Sequence, residues 1–167
     1  METWDAIRAR RNVRAYEDRP VPAEDLRRVL EAGRVAPSSK NSQPWDFVAV
    51  DDRAQLADLS RVWTYATHVA GSAVTIALVV PVDSDAVVHY DLGQATMNMM
   101  LAAADLGIGT GHSAVADQDR ARQVLGLPAD RICAYLISLG YPADRPLRPL
   151  KNPTRRPFDE VVHFGRW

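Results

Sequence analysis

Hydrophobic positions along the chain switch between helical and strand-like periods, and the switches predict the order of elements. Trp4 and Ile7 recur at helical spacing, with Arg11 next in the series, predicting a first helix that ends near the run Arg10-Arg11-Asn12-Val13-Arg14. Tyr16 to Pro22 is turn-rich. Pro22-Ala23-Glu24-Asp25 then starts a second helix with acids in its first turn, and Leu26, Val29, Leu30 and Gly33 share one face of it. Trp45 to Val50 reads as a strand and Ala54 to Leu59 as a short helix. Trp63 to Val69 is aromatic and β-branched without a clear period, which fits a loop or an irregular helix. Ala73 to Val80 is apolar without alternation, the mark of a central strand covered on both faces.

The longest predicted helix is Tyr90 to Leu106, with Leu92, Ala95, Met99, Ala102, Ala103 and Leu106 in a broad stripe. Gly107, Gly109 and Gly111 punctuate the next stretch, read as a loop whose backbone can approach a flat ligand. Asp117 caps a helix running to Leu125, and Ile132 to Leu139 is a third strand. From Tyr141 the pattern disappears. Five prolines fall between there and Pro157, so the segment 141–167 is expected to cross a surface rather than fold on itself.

A length of 167 residues suits one domain with a sizeable core. The net charge of −1 argues against a nucleic-acid binder that works through bulk electrostatics. The apolar run from Ala73 to Val82 is too short to span a bilayer and contains Thr75 and Pro81. The start of the chain is polar from Glu2 and lacks a secretory h-region, so a cytoplasmic location is expected. The lone cysteine, Cys133, lies in an apolar strand and reads as a small buried residue. His68, His89, His112 and His163 show no metal-ligand spacing, and no nucleophile elbow is present. No metal is expected. Asp5, Glu24, Glu31, Asp91 and Asp105 read as solvated helix charges.

The densest chemistry lies in Ala36-Pro37-Ser38-Ser39-Lys40-Asn41-Ser42-Gln43-Pro44-Trp45, between a helix and a strand. Its prolines forbid continuation of the helix, and its hydroxyls and amides suit either a ligand-binding loop or a polar turn. Arg10, Arg11, Asn12 and Arg14 fit either a phosphate site or a solvated basic helix end. Arg155 and Arg156 add a second basic pair, which joins the first only if the fold brings the two together.

Taken in order, these pieces resemble the nitroreductase family of flavin-dependent oxidoreductases. The resemblance rests on Arg10-Arg11-Asn12-Val13-Arg14-Ala15-Tyr16, on the loop from Ala36 to Trp45, on Leu106-Gly107-Ile108-Gly109-Thr110 and on Arg155 to His163. It implies an α+β, three-layer fold with a mostly antiparallel central sheet flanked by helices, as a single domain over 1–167. It also implies an intertwined homodimer in which the tail 141–167 wraps the partner, with FMN at the interface. By the family's pattern Arg10, Arg11, Asn12 and Arg14 meet the FMN phosphate and ribityl chain, with Arg155 or Arg156 on the same phosphate. Pro37, Ser38, Ser39 and Asn41 would come from the other subunit, while Thr110, His112, Ser113 and Ala114 would lie along the ring. Trp63, Tyr65 and His68 are candidates to line the acceptor cleft.

The implied activity is ping-pong hydride transfer from NAD(P)H through FMN to a planar electrophile such as a nitroaromatic or quinone. No catalytic side chain is assigned, because the cofactor carries the chemistry. Asn12 stands where serine is commoner in the family, and His112-Ser113-Ala114-Val115 departs from the usual glycine-rich pattern. The alternatives on the same fold are a deazaflavin cofactor or an enzyme that modifies its own flavin. A non-catalytic flavin-binding protein is the alternative of another class.

Overall fold

The computed structural model describes residues 2–150 and 153–167. Its elements run α1 (Thr3–Ala9), α2 (Ala23–Arg34), β1 (Asp46–Val50), α3 (Arg53–Leu59), β2 (Val74–Pro81), α4 (Ala86–Asp105), β3 (Gly109–Ala114), α5 (Gln118–Leu125) and β4 (Arg131–Gly140). Short 3-10 turns fall at Ser39–Asn41, Thr67–Gly71 and Phe158–Glu160. Asp52, Asp85 and Asp117 each accept backbone N–H groups at the N-termini of α3, α4 and α5, which satisfies donors that a helix start leaves open.

The four strands form one antiparallel sheet in the order β1-β2-β4-β3. β2 is the central strand expected from its unbroken apolar run, buried from Val74 to Val80. Side chains alternate across a strand, so Val74, Ile76, Leu78 and Val80 pack with Val29, Leu92, Ala95 and Met99 of α2 and α4. The opposite face joins Ala77, Cys133 and Leu136 to Leu56, Leu59 and Ala121 of α3 and α5. The result is the expected three-layer α+β architecture. Cys133 is fully buried, and burial pushes its thiol up to about 12.

Two elements differ from their sequence pattern. β3 was expected to be a loop, but Gly109-Thr110-Gly111 is strand, paired with β4 from Gly109↔Gly140 to Ala114↔Tyr135. The glycines serve a packed neighbour. A Cβ at Gly109 would stand 2.6 Å from Cγ2 of Val13, and one at Gly111 would land on the Val13 carbonyl oxygen. The longest helix also begins at Ala86, one turn before the expected Tyr90, because Asp85 caps it.

α1 turns the apolar residues that predicted it outward: Trp4 is 66% and Ile7 46% exposed, while Ala6 and Ala9 face in. α4 buries Leu92, Ala95, Met99 and Ala103 yet also exposes Tyr90 and Met97. The segment after Gly140 contains no strand or α-helix among the described residues, and Lys151 and Asn152 lie outside them. Phe158, Phe164 and Trp167 are exposed.

The close approach at Gly111 sets a stability test. Gly111→Ala should lower unfolding free energy by about 1–3 kcal/mol, the usual cost of overpacking. Gly71→Ala, where a Cβ meets open space, should stay within about 0.5 kcal/mol of the parent. Urea denaturation of both variants measures the contrast.

Candidate functional site

The segment after α1 lies along the outer edge of β3. The Val13 N–H donates to the Thr110 carbonyl at 2.8 Å, and Asn12 forms a parallel bridge with Thr110. Val13 is fully buried, which pins the middle of the segment and leaves Asn12 and Arg14 exposed on either side. The Tyr16 hydroxyl is 2.7 Å from the Val13 carbonyl and 2.6 Å from Ser138 Oγ. Ser138 Oγ is 3.0 Å from the Gly111 carbonyl, and His68 Nδ1 stands 2.9 Å from the same hydroxyl.

With a longer contact of 3.3 Å from the Tyr16 hydroxyl to the Ser138 carbonyl, five contacts share at most three protons, those of Tyr16, Ser138 and His68 Nδ1. His68 donates to the Ser138 hydroxyl only as its Nδ1–H tautomer. Burial, then the nearby charges of Arg14 and His112, hold His68 down to about 4. Burial pushes Tyr16 up to about 12. The network is therefore neutral near pH 7.

Residues opposed on antiparallel strands share a face, so His112 and Ala114 of β3 lie on the α4 side with Ile137 and Tyr135 of β4. The pairing of β2 with β4 jumps from Leu78↔Tyr135 to Val79↔Cys133, making Ala134 a bulge residue beside Tyr135. Tyr135 remains 40% exposed, with the His89 ring edge-on at 6.3 Å. Two hollows meet at His112 and Tyr135. One, about 320 Å³, reaches to Arg10, Asn12, His89 and Met97. The other, about 280 Å³, is lined by Arg14, Trp63, Tyr65, Ser113 and Ala114. Trp63 and Tyr65 pack edge to face at 4.8 Å. A trough results, with cationic groups toward both ends and β3 between.

The arginines divide by partner. Burial, then the like charge of Arg155, hold Arg10 below its ordinary value. The charge of the last basic cluster of the chain is thus felt at the first. Arg11 turns away, donating at 2.6 Å to both the Asp144 carboxylate and the Arg145 carbonyl, so it ties down the start of the tail. Arg156 donates to the Glu160 carbonyl at 2.8 Å. His68 lies buried beneath β3 and β4 and lines neither hollow, unlike Trp63 and Tyr65. Thr110 is also buried, and its carbonyl holds Val13.

The loop from Pro37 to Pro44 is wound through left-handed backbone: Lys40, Asn41 and Gln43 have φ of 54°, 56° and 47°. Such positions cost on the order of 1–3 kcal/mol each for residues other than glycine, less for asparagine. Ser38 Oγ accepts the Gln43 N–H at 2.9 Å, so this hydroxyl closes the loop itself. Ser39, Lys40 and Asn41 are exposed.

Asp91 corrects its reading as a solvated charge. It is 2% exposed, and its carboxylate accepts the Ser39 N–H at 2.8 Å. A signal was present in the sequence: Asp91 falls four residues before Ala95 and eight before Met99, in phase with the buried stripe of α4. Among the described residues, no group of histidine, cysteine and acid side chains could hold a metal ion.

An α+β sheet whose edge carries a cationic trough is the class this fold and site define. The model of the Nitroreductase family matches residues 7–70 and 61–141. A relative from Archaeoglobus fulgidus, provisionally named NADH dehydrogenase/NAD(P)H nitroreductase, is 35% identical over 99% of both chains. A solved structure from Parabacteroides distasonis with the same provisional name superposes with a TM-score of 0.87 at 28% identity, covering 100% of this chain and 99% of that one. A provisional nitroreductase from Desulfovibrio desulfuricans, solved in complex with FMN, gives 0.83 at 29% identity over 100% and 98%. The chain belongs to the nitroreductase family.

Because His68 is held neutral when folded, the folded state takes up fewer protons than the unfolded chain between about pH 6.5 and 4. The stability this residue contributes is thus complete above about 6.5 and is lost as pH falls toward 4. Urea midpoints measured across that range should fall more steeply for the parent than for His68→Gln. Parallel slopes would remove His68 from the acid response.

Proposed function

We propose that the trough holds FMN and that the protein is an oxidoreductase drawing on NAD(P)H. The observation that carries this reading is the set of Arg10, Asn12 and Arg14 along a trough floored by β3, with the charge of Arg155 felt at Arg10. A phosphate monoester carries close to two negative charges, and the paired donors of guanidinium groups suit it. Asn12 and Arg14 would continue along the ligand. The backbone and side chains from His112 to Ala114 would face its ring, with Trp63, Tyr65 and Tyr135 as an aromatic wall.

Bound FMN would supply hydride transfer between a reduced nicotinamide and an acceptor. The chain's own groups would anchor the phosphate, fix the ring against β3 and leave a face open for flat molecules to enter in turn. A planar electrophile, such as a nitroaromatic or a quinone, suits that aromatic wall. Neither hollow carries an acid–base dyad that would impose a further proton-transfer role.

The working unit is a homodimer in this reading. α4 is apolar on both faces, which suits a helix covered on both, and Trp4, Ile7, Tyr90 and Met97 would meet a second copy. The exposed tail with Phe158, Phe164 and Trp167 would wrap that copy, and Ser38, Ser39 and Asn41 would reach the partner's flavin.

Arg10→Ala and Arg155→Ala should each weaken FMN binding by about tenfold or more, at roughly 1.5–3 kcal/mol per charge-assisted contact. The far-ultraviolet spectrum should not change. Titration of apoprotein with FMN, read by flavin fluorescence, measures the affinity. Unchanged affinity in both variants would place the phosphate elsewhere. A purified parent without flavin absorbance that takes up no added FMN would overturn the reading.

Deleting residues from Pro153 onward should abolish the dimer and leave aggregated or unfolded protein, as seen by size-exclusion chromatography. A soluble, monomeric, flavin-loaded truncation would overturn the interlocked arrangement.

A further inference from the structure

We propose that Asp91 is the positioning residue of the Pro37–Pro44 loop. Its carboxylate holds the Ser39 N–H and thereby fixes the left-handed run that presents Ser38, Ser39 and Asn41. The inference deepens the flavin-site reading and rests on it for the role of those three residues.

The loop's other hydrogen bonds close it on itself. The Asn41 N–H donates to the Ser38 carbonyl at 3.0 Å, Ser42 N–H to the Ser39 carbonyl at 3.1 Å, and Gln43 N–H to Ser38 Oγ. Such bonds shape a loop without placing it on the molecule. Among the described residues, the bond from Ser39 N–H to Asp91 is the one that ties residues 38–43 to another element. Ala36 and Trp45 are buried at the two ends, so the chain between them needs a single mid-loop tether.

A carboxylate is the strong choice of acceptor. A charge-assisted bond to a backbone N–H exceeds a neutral one, and Asp91 is buried where water competes little. Gln94 Nε2 reaches its other oxygen at a longer 3.3 Å, from the next turn of α4, and so orients the group. The long helix in this way carries the loop's position from the protein core. With one face of α4 in the core and its other face exposed beside the trough, a shift of the helix would move loop and trough together.

The test separates the tether from general stability by removing it from both sides. Asp91→Ala deletes the acceptor, and Asp91→Asn keeps an acceptor oxygen without the charge. Ser39→Pro deletes the donor at the first position of a short helical turn, where proline is tolerated, and is compared with Ser39→Ala. Hydrogen exchange of the Asn41, Ser42 and Gln43 amides, which are hydrogen-bonded within the loop, reads it directly and needs no flavin.

Exchange should rise about tenfold or more in Asp91→Ala and in Ser39→Pro, with Asp91→Asn restoring most of the protection. FMN affinity and the rate of flavin reduction at saturating FMN should fall in the same order. The double variant Asp91→Ala/Ser39→Pro should be no worse than the worse single, because both remove one bond. Unchanged loop exchange in Asp91→Ala, or additive effects in the double variant, would overturn the inference. If Asp91→Ala does not fold, Ser39→Pro matching Ser39→Ala in exchange and FMN affinity overturns it equally. A parent that binds no FMN would sink the flavin reading while the exchange result still decides the tether.

Discussion

The structure depends on the docking of the Asn12–Tyr16 segment against the edge of β3. One backbone bond, Val13 N–H to Thr110, and one buried side chain, Val13, set the contact. The Tyr16 hydroxyl locks it from beneath through Ser138 and His68. The segment can come this close only because Gly109 and Gly111 leave room for it. The polar groups at the trough are spaced from that contact: Arg10 and Asn12 fall before the pinned residue and Arg14 after it. A polar network this deeply buried is costly unless its groups find partners, and here Tyr16, Ser138 and His68 partner one another and nearby carbonyls. An added charge at His68 or Tyr16 would have no counter-ion among those partners, which favours neutrality at both.

The arginines then divide by their partners. Arg11 has a carboxylate and a carbonyl of its own and belongs to the tail's anchorage. Arg131, Arg120 and Arg122 likewise stand beside acids on the surface, where such pairs contribute little. Arg10 has Arg155 for a neighbour instead.

α4 joins the two halves of the site. Its inner face fills the space between α2 and the sheet, its outer face borders the trough through Met97 and His89, and Asp91 reaches the strained loop. The strain at Lys40 and Gln43 persists because buried residues fix both ends of the loop and a buried carboxylate holds its middle. A loop so constrained is held in one conformation.

Much of this was legible in the sequence. β2 announced itself as a doubly covered strand by an unbroken apolar run, α5 by its capping aspartate, and the family by four ordered motifs. These signals are local: periodicity, caps and proline restrictions act over a few residues and survive without knowledge of neighbours. What tertiary structure alone decided is where groups far apart in sequence meet. β3 looked like a glycine-rich loop because its glycines answer to Val13 and Tyr16, which no local pattern encodes. The outward Trp4 and Ile7 kept helical spacing but not the inward side, since a period fixes a stripe and not the face that is covered. Spacing left Arg10 and Arg155 as separate clusters that only the family resemblance joined, and Asp91 read as one more helix charge until the fold gave it the Ser39 N–H. Pairing across long separations is set by how whole layers pack, and a sequence states that only through the sum of its parts.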